Sequence, residues 1–192
     1  MFIQTEATPN PATLKFLPGK VVLEEGTADF RDAATAGDAS PLAAKIFAIA
    51  GVSGVFFGYD FVTVTKTDAL EWQHLKPAIL GAIMEHFMSG APVMANGTDI
   101  ADSAQRDAEG EFFDSADTEI VDTIKELLET RVRPAVAQDG GDITFRGFEN
   151  GTVFLHMKGA CSGCPSSTAT LKHGIQNLLK HFIPEVQQVE AI

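Results

Sequence analysis

The sequence predicts an α+β protein: two small α+β domains joined by an acidic linker. Three observations carry this expectation. Short runs with strand-like patterning stand beside longer segments with apolar residues at helical spacing, and neither half alternates strand and helix long enough for a doubly wound sheet. Acidic charge collects in one stretch: residues 98–119 hold eight acids and one base, with glycine and serine between them, so self-repulsion should keep this stretch extended. Turn signals such as Pro18-Gly19 and Asn150-Gly151 separate the short runs. The expected division is residues 1–92, an acidic linker over 93–117, and residues 118–192.

In the first part, residues 2–6 read as a strand. Residues 13–17 and 21–23 follow as two further runs around Pro18-Gly19. Residues 25–40 are small, polar and glycine-containing, hence loop. Ser40-Pro41 opens a helix, with serine as N-cap and proline at the first helical position, and Gly51 stops it. Residues 52–57 and 61–65 read as strands around Gly58-Tyr59-Asp60. A second helix spans about 71–88, with Leu75, Ile79, Ala82, Ile83, His86 and Phe87 along one face. Trp72 and Phe56-Phe57 are expected in the core.

The second part opens with a helix marked by Ile120, Ile124, Leu127 and Leu128, which Pro134 should end or kink. Asp139-Gly140-Gly141-Asp142 is a turn signal. Residues 143–148 and 152–157 alternate as a hairpin around Glu149-Asn150-Gly151. Pro165 starts a last helix whose face is Leu171, Ile175, Leu178, Leu179 and Phe182. Residues 185–191 form a closing strand. The order α-β-β-α-β implies helices on one face of a small sheet.

Composition excludes several roles. The 192 residues carry a formal net charge of -12 and a pI near 4.7, which sets the chain against nucleic acid and anionic membrane surfaces. No apolar run approaches the ~20 residues needed to span a bilayer. Residues 1–6 resemble neither a signal nor a transit peptide, so a reducing cytoplasm is the expected location. Phosphate-loop, dinucleotide and nucleophile-elbow motifs are missing from the sequence.

The one constellation with chemistry is Cys161-Ser162-Gly163-Cys164, which holds both cysteines of the chain. The spacing lets two sulfurs converge on one metal or oxidise to a disulfide. Placed between a strand and a helix starting at Pro165, the thiols should benefit from the helix N-terminus and favour thiolate. From Asn150 through Pro184 there is no acid, while Lys158, Lys172, Lys180, His156, His173 and His181 all fall there, a setting suited to an anionic group. Two sulfurs are fewer than the four ligands of a closed zinc site or a cubane cluster. Histidines such as His156 and His173 are one completion, a metal-free dithiol–disulfide cycle is another, and two chains meeting about a two-fold axis are a third. Composition and spacing leave iron–sulfur, zinc and redox uses open.

The run Arg133-Pro134-Ala135-Val136-Ala137-Gln138-Asp139-Gly140-Gly141-Asp142-Ile143, followed by Gly159-Ala160-Cys161-Ser162-Gly163-Cys164-Pro165-Ser166-Ser167 and by Thr170-Leu171-Lys172, resembles the NifU-like C-terminal domain. Thr5-Glu6, Thr8-Pro9-Asn10-Pro11, Leu14-Lys15-Phe16, Gly51-Val52 and Val55-Phe56-Phe57 resemble the N-terminal domain of Nfu-type proteins. The resemblance implies an iron–sulfur cluster scaffold or carrier rather than an enzyme. It implies that Cys161 and Cys164 ligate a transient [4Fe–4S] cluster bridging two subunits of a homodimer. The cluster would come from upstream cluster-assembly proteins and go to apo iron–sulfur client proteins. The same resemblance admits a bacterial cytoplasm, or a mitochondrial matrix for a processed organellar form. The rival readings at the same cysteines are a thiol–disulfide oxidoreductase and a structural zinc site. In this scheme Asp139 and Asp142 have a structural role, bonding to the adjacent turn.

Overall fold

The patterning along residues 13–17 and 52–65 becomes an antiparallel sheet. The structure is a computed structural model describing residues 1–95, 110–163 and 165–192, without the side chains of 165–167. It divides into two units, Met1–Asp102 and Ser103–Ile192. The first contains β1 (Gln4–Ala7), β2 (Thr13–Leu17), β3 (Ala28–Phe30), β4 (Val52–Phe57) and β5 (Val62–Lys66), in the sheet order β1-β2-β5-β4-β3. Neighbouring strands are all antiparallel, with Phe16 opposite Val62 and Val55 opposite Val64. Its helices are α1 (Ala33–Ala39), α2 (Pro41–Phe47) and α3 (Trp72–Ser89). Phe16, Val55, Phe57, Val62 and Val64 from the sheet share one core with Leu42 and Ile46 of α2 and Leu75, Ile79 and Ile83 of α3. Each such side chain stabilises the unit by roughly 1.5–3 kcal/mol on burial.

Ser40 caps α2 as its sequence suggests, its Oγ accepting from the Ala43 N–H at 3.0 Å. The same hydroxyl donates to the Val93 carbonyl, tying the chain beyond α3 to the start of α2. The Thr8–Pro11 motif is a loop held by its own side chains: Asn10 Oδ1 accepts from the Ala12 N–H, and the Trp72 indole donates to the Pro11 carbonyl.

Two expectations are corrected here. Residues 25–40 are not all loop, because they hold β3 and α1. Asp32 caps α1 through the Thr35 N–H at 2.8 Å, and β3 exists through pairing with β4, a long-range contact that no local pattern announces. Residues 21–23 do not form a strand. The N–H groups of Val22 and Leu23 both donate to the Tyr59 carbonyl, so the segment hooks onto the β4–β5 turn.

The second unit has the expected α-β-β-α-β order. Helix α4 (Thr118–Leu127) runs through a π turn (Leu128–Val132) into α5 (Arg133–Gln138). Pro134 lacks an N–H, and in a regular helix its ring would press on the Thr130 carbonyl. The wider turn relieves this, and the Arg133 N–H bonds five residues back to the Leu128 carbonyl. β6 (Gly141–Glu149) and β7 (Thr152–Gly159) form an antiparallel hairpin, α6 (Pro165–Phe182) crosses over, and β8 (Gln188–Ala191) pairs parallel with β7. At the hairpin tip Asn150 and Gly151 both have positive φ, 50° and 76°, as a two-residue turn of this hand requires. Ile124, Leu128 and Val136 pack with Ile143, Leu155 and Val189 from the sheet and Ile175 and Leu179 from α6. Phe182, expected on that core face, is 46% exposed with the Arg131 guanidinium over its ring, and Ile183 takes the buried place.

Of the stretch read as linker, residues 96–109 lie outside the described residues. Residues 110–117 do more than span. The Phe112 N–H donates to the Arg146 carbonyl, and its own carbonyl accepts from the Phe148 N–H. Its ring lies on Gly147, where an added Cβ would come within 2.4 Å, and beside Phe154.

Candidate functional site

Cys161 sits on the connection from β7 to α6. Gly159 and Gly163 flank it in the left-handed region, with φ of 63° and 83°, a conformation glycine adopts without steric penalty. The turn after α5 and this connection are bonded together. The Ala160 N–H donates to the Gly140 carbonyl, Gly141 pairs with Gly159 across the hairpin, and the Ser162 N–H and Oγ both reach the Gly159 carbonyl. Thr168 Oγ1 on α6 donates to the Cys161 carbonyl at 3.1 Å. A Cβ built on Gly141 would lie 2.6 Å from Cys161 Sγ and 2.7 Å from the Lys158 carbonyl. The sulfur therefore rests where a side chain at position 141 would be.

The thiol differs from its sequence-based expectation. Cys161 is 6% exposed and belongs to the core of its unit. Burial, then the negative charges of Asp139 and Asp142, push its pKa up to about 12. The expected thiolate-favouring setting is thus absent at Cys161: it lies four residues ahead of α6, against the Asp139–Asp142 turn. Cys164, the other predicted ligand, lies outside the described residues. Among the described residues no group of three or more His, Cys, Asp or Glu is gathered to hold a metal, so His156 and His173 do not join Cys161 in one. No helix among them is long and apolar enough to cross a membrane.

Asp142 does not bond only to its own turn. It is buried, and Arg133 grips it with two bonds, Nε to Oδ1 at 2.8 Å and Nη2 to Oδ2 at 2.9 Å. Its Oδ1 also accepts from the Ile143 N–H at 2.8 Å. Arg133 Nη1 reaches Glu129 Oε2 at 2.6 Å. The Asp142 contact raises the guanidinium pKa above its ordinary value, against the opposing effect of burial. Sequence spacing does not announce this pair, since residues nine apart across a turn have no periodic relation.

The family described as "Scaffold protein Nfu/NifU N terminal" matches residues 3–90, and the "NifU-like domain" matches residues 124–190. The human protein named NFU1 iron-sulfur cluster scaffold homolog, mitochondrial, is 51% identical over 193 residues, covering 100% of this chain and 72% of that protein. Its namesake in Drosophila sechellia is 51% identical over 193 residues, covering 100% of this chain and 65% of that one. NifU-like protein 4, mitochondrial, of Arabidopsis thaliana is 53% identical over 192 residues, covering 99% and 65%. The chain thus spans just under two thirds of the length of the fly and plant relatives. Matched in both halves, in order, and sharing half its residues with these relatives from end to end, the chain belongs to the Nfu-type iron–sulfur cluster scaffold family.

Proposed function

We propose that the chain carries a [4Fe–4S] cluster between Cys161 and Cys164 of one copy and the same pair of a second, and passes it to apo iron–sulfur proteins. The observation that supports this reading best is the seat of Cys161, a thiol held on the β7–α6 connection of a chain whose relatives are named cluster scaffolds. The donor chemistry fits. Sulfur is the ligand such clusters take, and with two cysteines in the chain a four-ligand cluster draws on a second copy. The raised pKa is compatible with this role, because iron would bind the thiolate and displace the thiol proton to solvent.

The same observation limits the redox alternative: the attacking sulfur of a thiol–disulfide exchanger is accessible and of low pKa, and Cys161 is buried with its pKa pushed up, so Cys161 would not be that sulfur. Delivery by exchange of scaffold thiolates for client thiolates needs no covalent catalysis, so the chain acts as a carrier and not as an enzyme. Its proposed partners are a second copy, upstream cluster-assembly proteins and apo clients. The mitochondrial names of the relatives favour the organellar alternative for its compartment and lend the cytoplasmic one nothing.

The test is anaerobic reconstitution with iron and sulfide, followed by native mass spectrometry. A dimer carrying one four-iron, four-sulfide unit supports the reading. A metal-free monomer, or a dimer holding only zinc, overturns it.

A further inference from the structure

We propose that Arg133 and Asp142 are positioning residues for Cys161, fixing the start of β6 so that Gly141 forms the seat on which the sulfur rests. This inference rests on the scaffold reading for its purpose, though not for its geometry.

The chain of contacts is short and continuous. Arg133 holds Asp142 through both carboxylate oxygens, while its Nη1 bonds the exposed Glu129 outside this grip. Asp142 closes on the N–H of Ile143, so both its oxygens are engaged and the carboxylate is tied to its own main chain. The adjoining residue is Gly141, whose missing Cβ leaves the space that Cys161 Sγ occupies. Asp142 directly follows Gly141 in β6, so a grip on its carboxylate reaches the sulfur's seat through the backbone. A planar two-point grip fixes direction as well as distance, which a lysine's single ammonium does not. It sets the first residues of β6 against Gly159 and Lys158, their partners in the hairpin. The π turn leads directly into Arg133 at the first position of α5, from which its side chain reaches the carboxylate.

A purely stabilising ion pair and a positioning one differ in what they move. Losing a merely stabilising pair lowers the melting temperature and leaves the sulfur as inaccessible as before in the folded protein. Losing a positioning pair uncovers Cys161 well below the melting transition, because the local opening that exposes it needs less free energy than global unfolding.

The experiment uses the full-length apo protein. Arg133→Lys and Asp142→Asn, with Glu129→Gln as a control that leaves the Arg133–Asp142 grip intact, are alkylated with iodoacetamide at 25 °C. Peptide mass spectrometry reads Cys161 and Cys164 separately. Far-UV circular dichroism confirms that each variant is folded at that temperature. Expected is a rise of about tenfold or more in the Cys161 rate for Arg133→Lys and Asp142→Asn, little change in Glu129→Gln, and iron and sulfide content after reconstitution falling in the same order. Arg133→Lys keeps the charge and most of the volume, so it serves if Asp142→Asn fails to fold. Folded variants with wild-type Cys161 rates and wild-type cluster content overturn the proposal. If the wild type itself takes up no cluster, the scaffold reading fails, while the alkylation rates still decide the positioning role.

Discussion

The sulfur of Cys161 and the Cα of Gly141 are packed so closely that no side chain fits between them: a methyl group on Gly141 would sit 2.6 Å from Sγ, 2.7 Å from the Lys158 carbonyl and 3.1 Å from the Cys161 N–H nitrogen. Two of these three neighbours are backbone atoms, locked in the Gly141–Gly159 pairing and the Ala160–Gly140 bond. They cannot swing aside as the end of a flexible side chain would.

Gly141→Ala should therefore be destabilising by overpacking, not by backbone conformation, since Gly141 is not among the positive-φ glycines. The expected loss is about 1–3 kcal/mol, or roughly 5–15 °C in the melting temperature of a unit this size. Differential scanning calorimetry checks it. A melting temperature within a degree of wild type would mean that the two strands part easily here.

Cys161→Ser tests the ligand without disturbing the fold. Serine keeps the shape of cysteine but puts a hydroxyl into an apolar seat, a change of about 1–3 kcal/mol. The second unit should remain folded while iron retained after anaerobic reconstitution falls to background. Full retention of iron by a folded Cys161→Ser protein would remove Cys161 from the ligand set.

Much of this fold was legible because its elements are written locally. The Ser40-Pro41 cap, the Asn150-Gly151 turn and the face Leu75, Ile79, Ile83 each carry a short-range physical reason, and each stands where that reason puts it. What was not legible depends on distant partners. β3 needs β4, residues 21–23 need the Tyr59 carbonyl, and Arg133 finds Asp142 only after a π turn and a tight turn bring them together. The site divides the same way. The motif singles out Cys161 as a candidate ligand but does not announce its burial, because helix-terminus arguments take no account of Gly141 of β6 lying against the sulfur.

Phe112 gives a test of where the second unit begins. Its ring covers Gly147 and packs beside Phe154 at a centroid distance of 5.1 Å, while its main chain caps the β6 edge through two hydrogen bonds. Phe112→Ala should cost about 1–2 kcal/mol, less than a fully buried phenylalanine, because the ring is 41% exposed. The amide of Phe148, which donates to the Phe112 carbonyl, should lose hydrogen-exchange protection more than amides elsewhere in β6. Unchanged protection there would show that the main-chain bonds hold without the ring.

His86 gives the first unit a source of acid sensitivity. It is fully buried on α3, and among the described residues neither ring nitrogen makes a hydrogen bond of good geometry. Its pKa is lowered chiefly by burial and then by the positive charge of Lys45 on α2; the backbone of Pro92 and Ala91 and the charge of Glu85 pull weakly the other way. In the unfolded chain an imidazole titrates near 6.5. Between that value and the lower folded one, the unfolded state binds the proton and the folded state does not. Stability is therefore intact above about pH 6.5 and falls as the pH drops through it. His86→Leu replaces the ring with an apolar side chain and removes the titration. The measurement is the melting temperature of the first unit from pH 7.5 down to 5.5, in wild type and variant. The wild type should lose more stability than the variant over this window, and the gap between them should open near pH 6.5. Parallel curves would mean that the imidazole is protonated in the folded unit after all, which would require the α2–α3 packing around it to admit water.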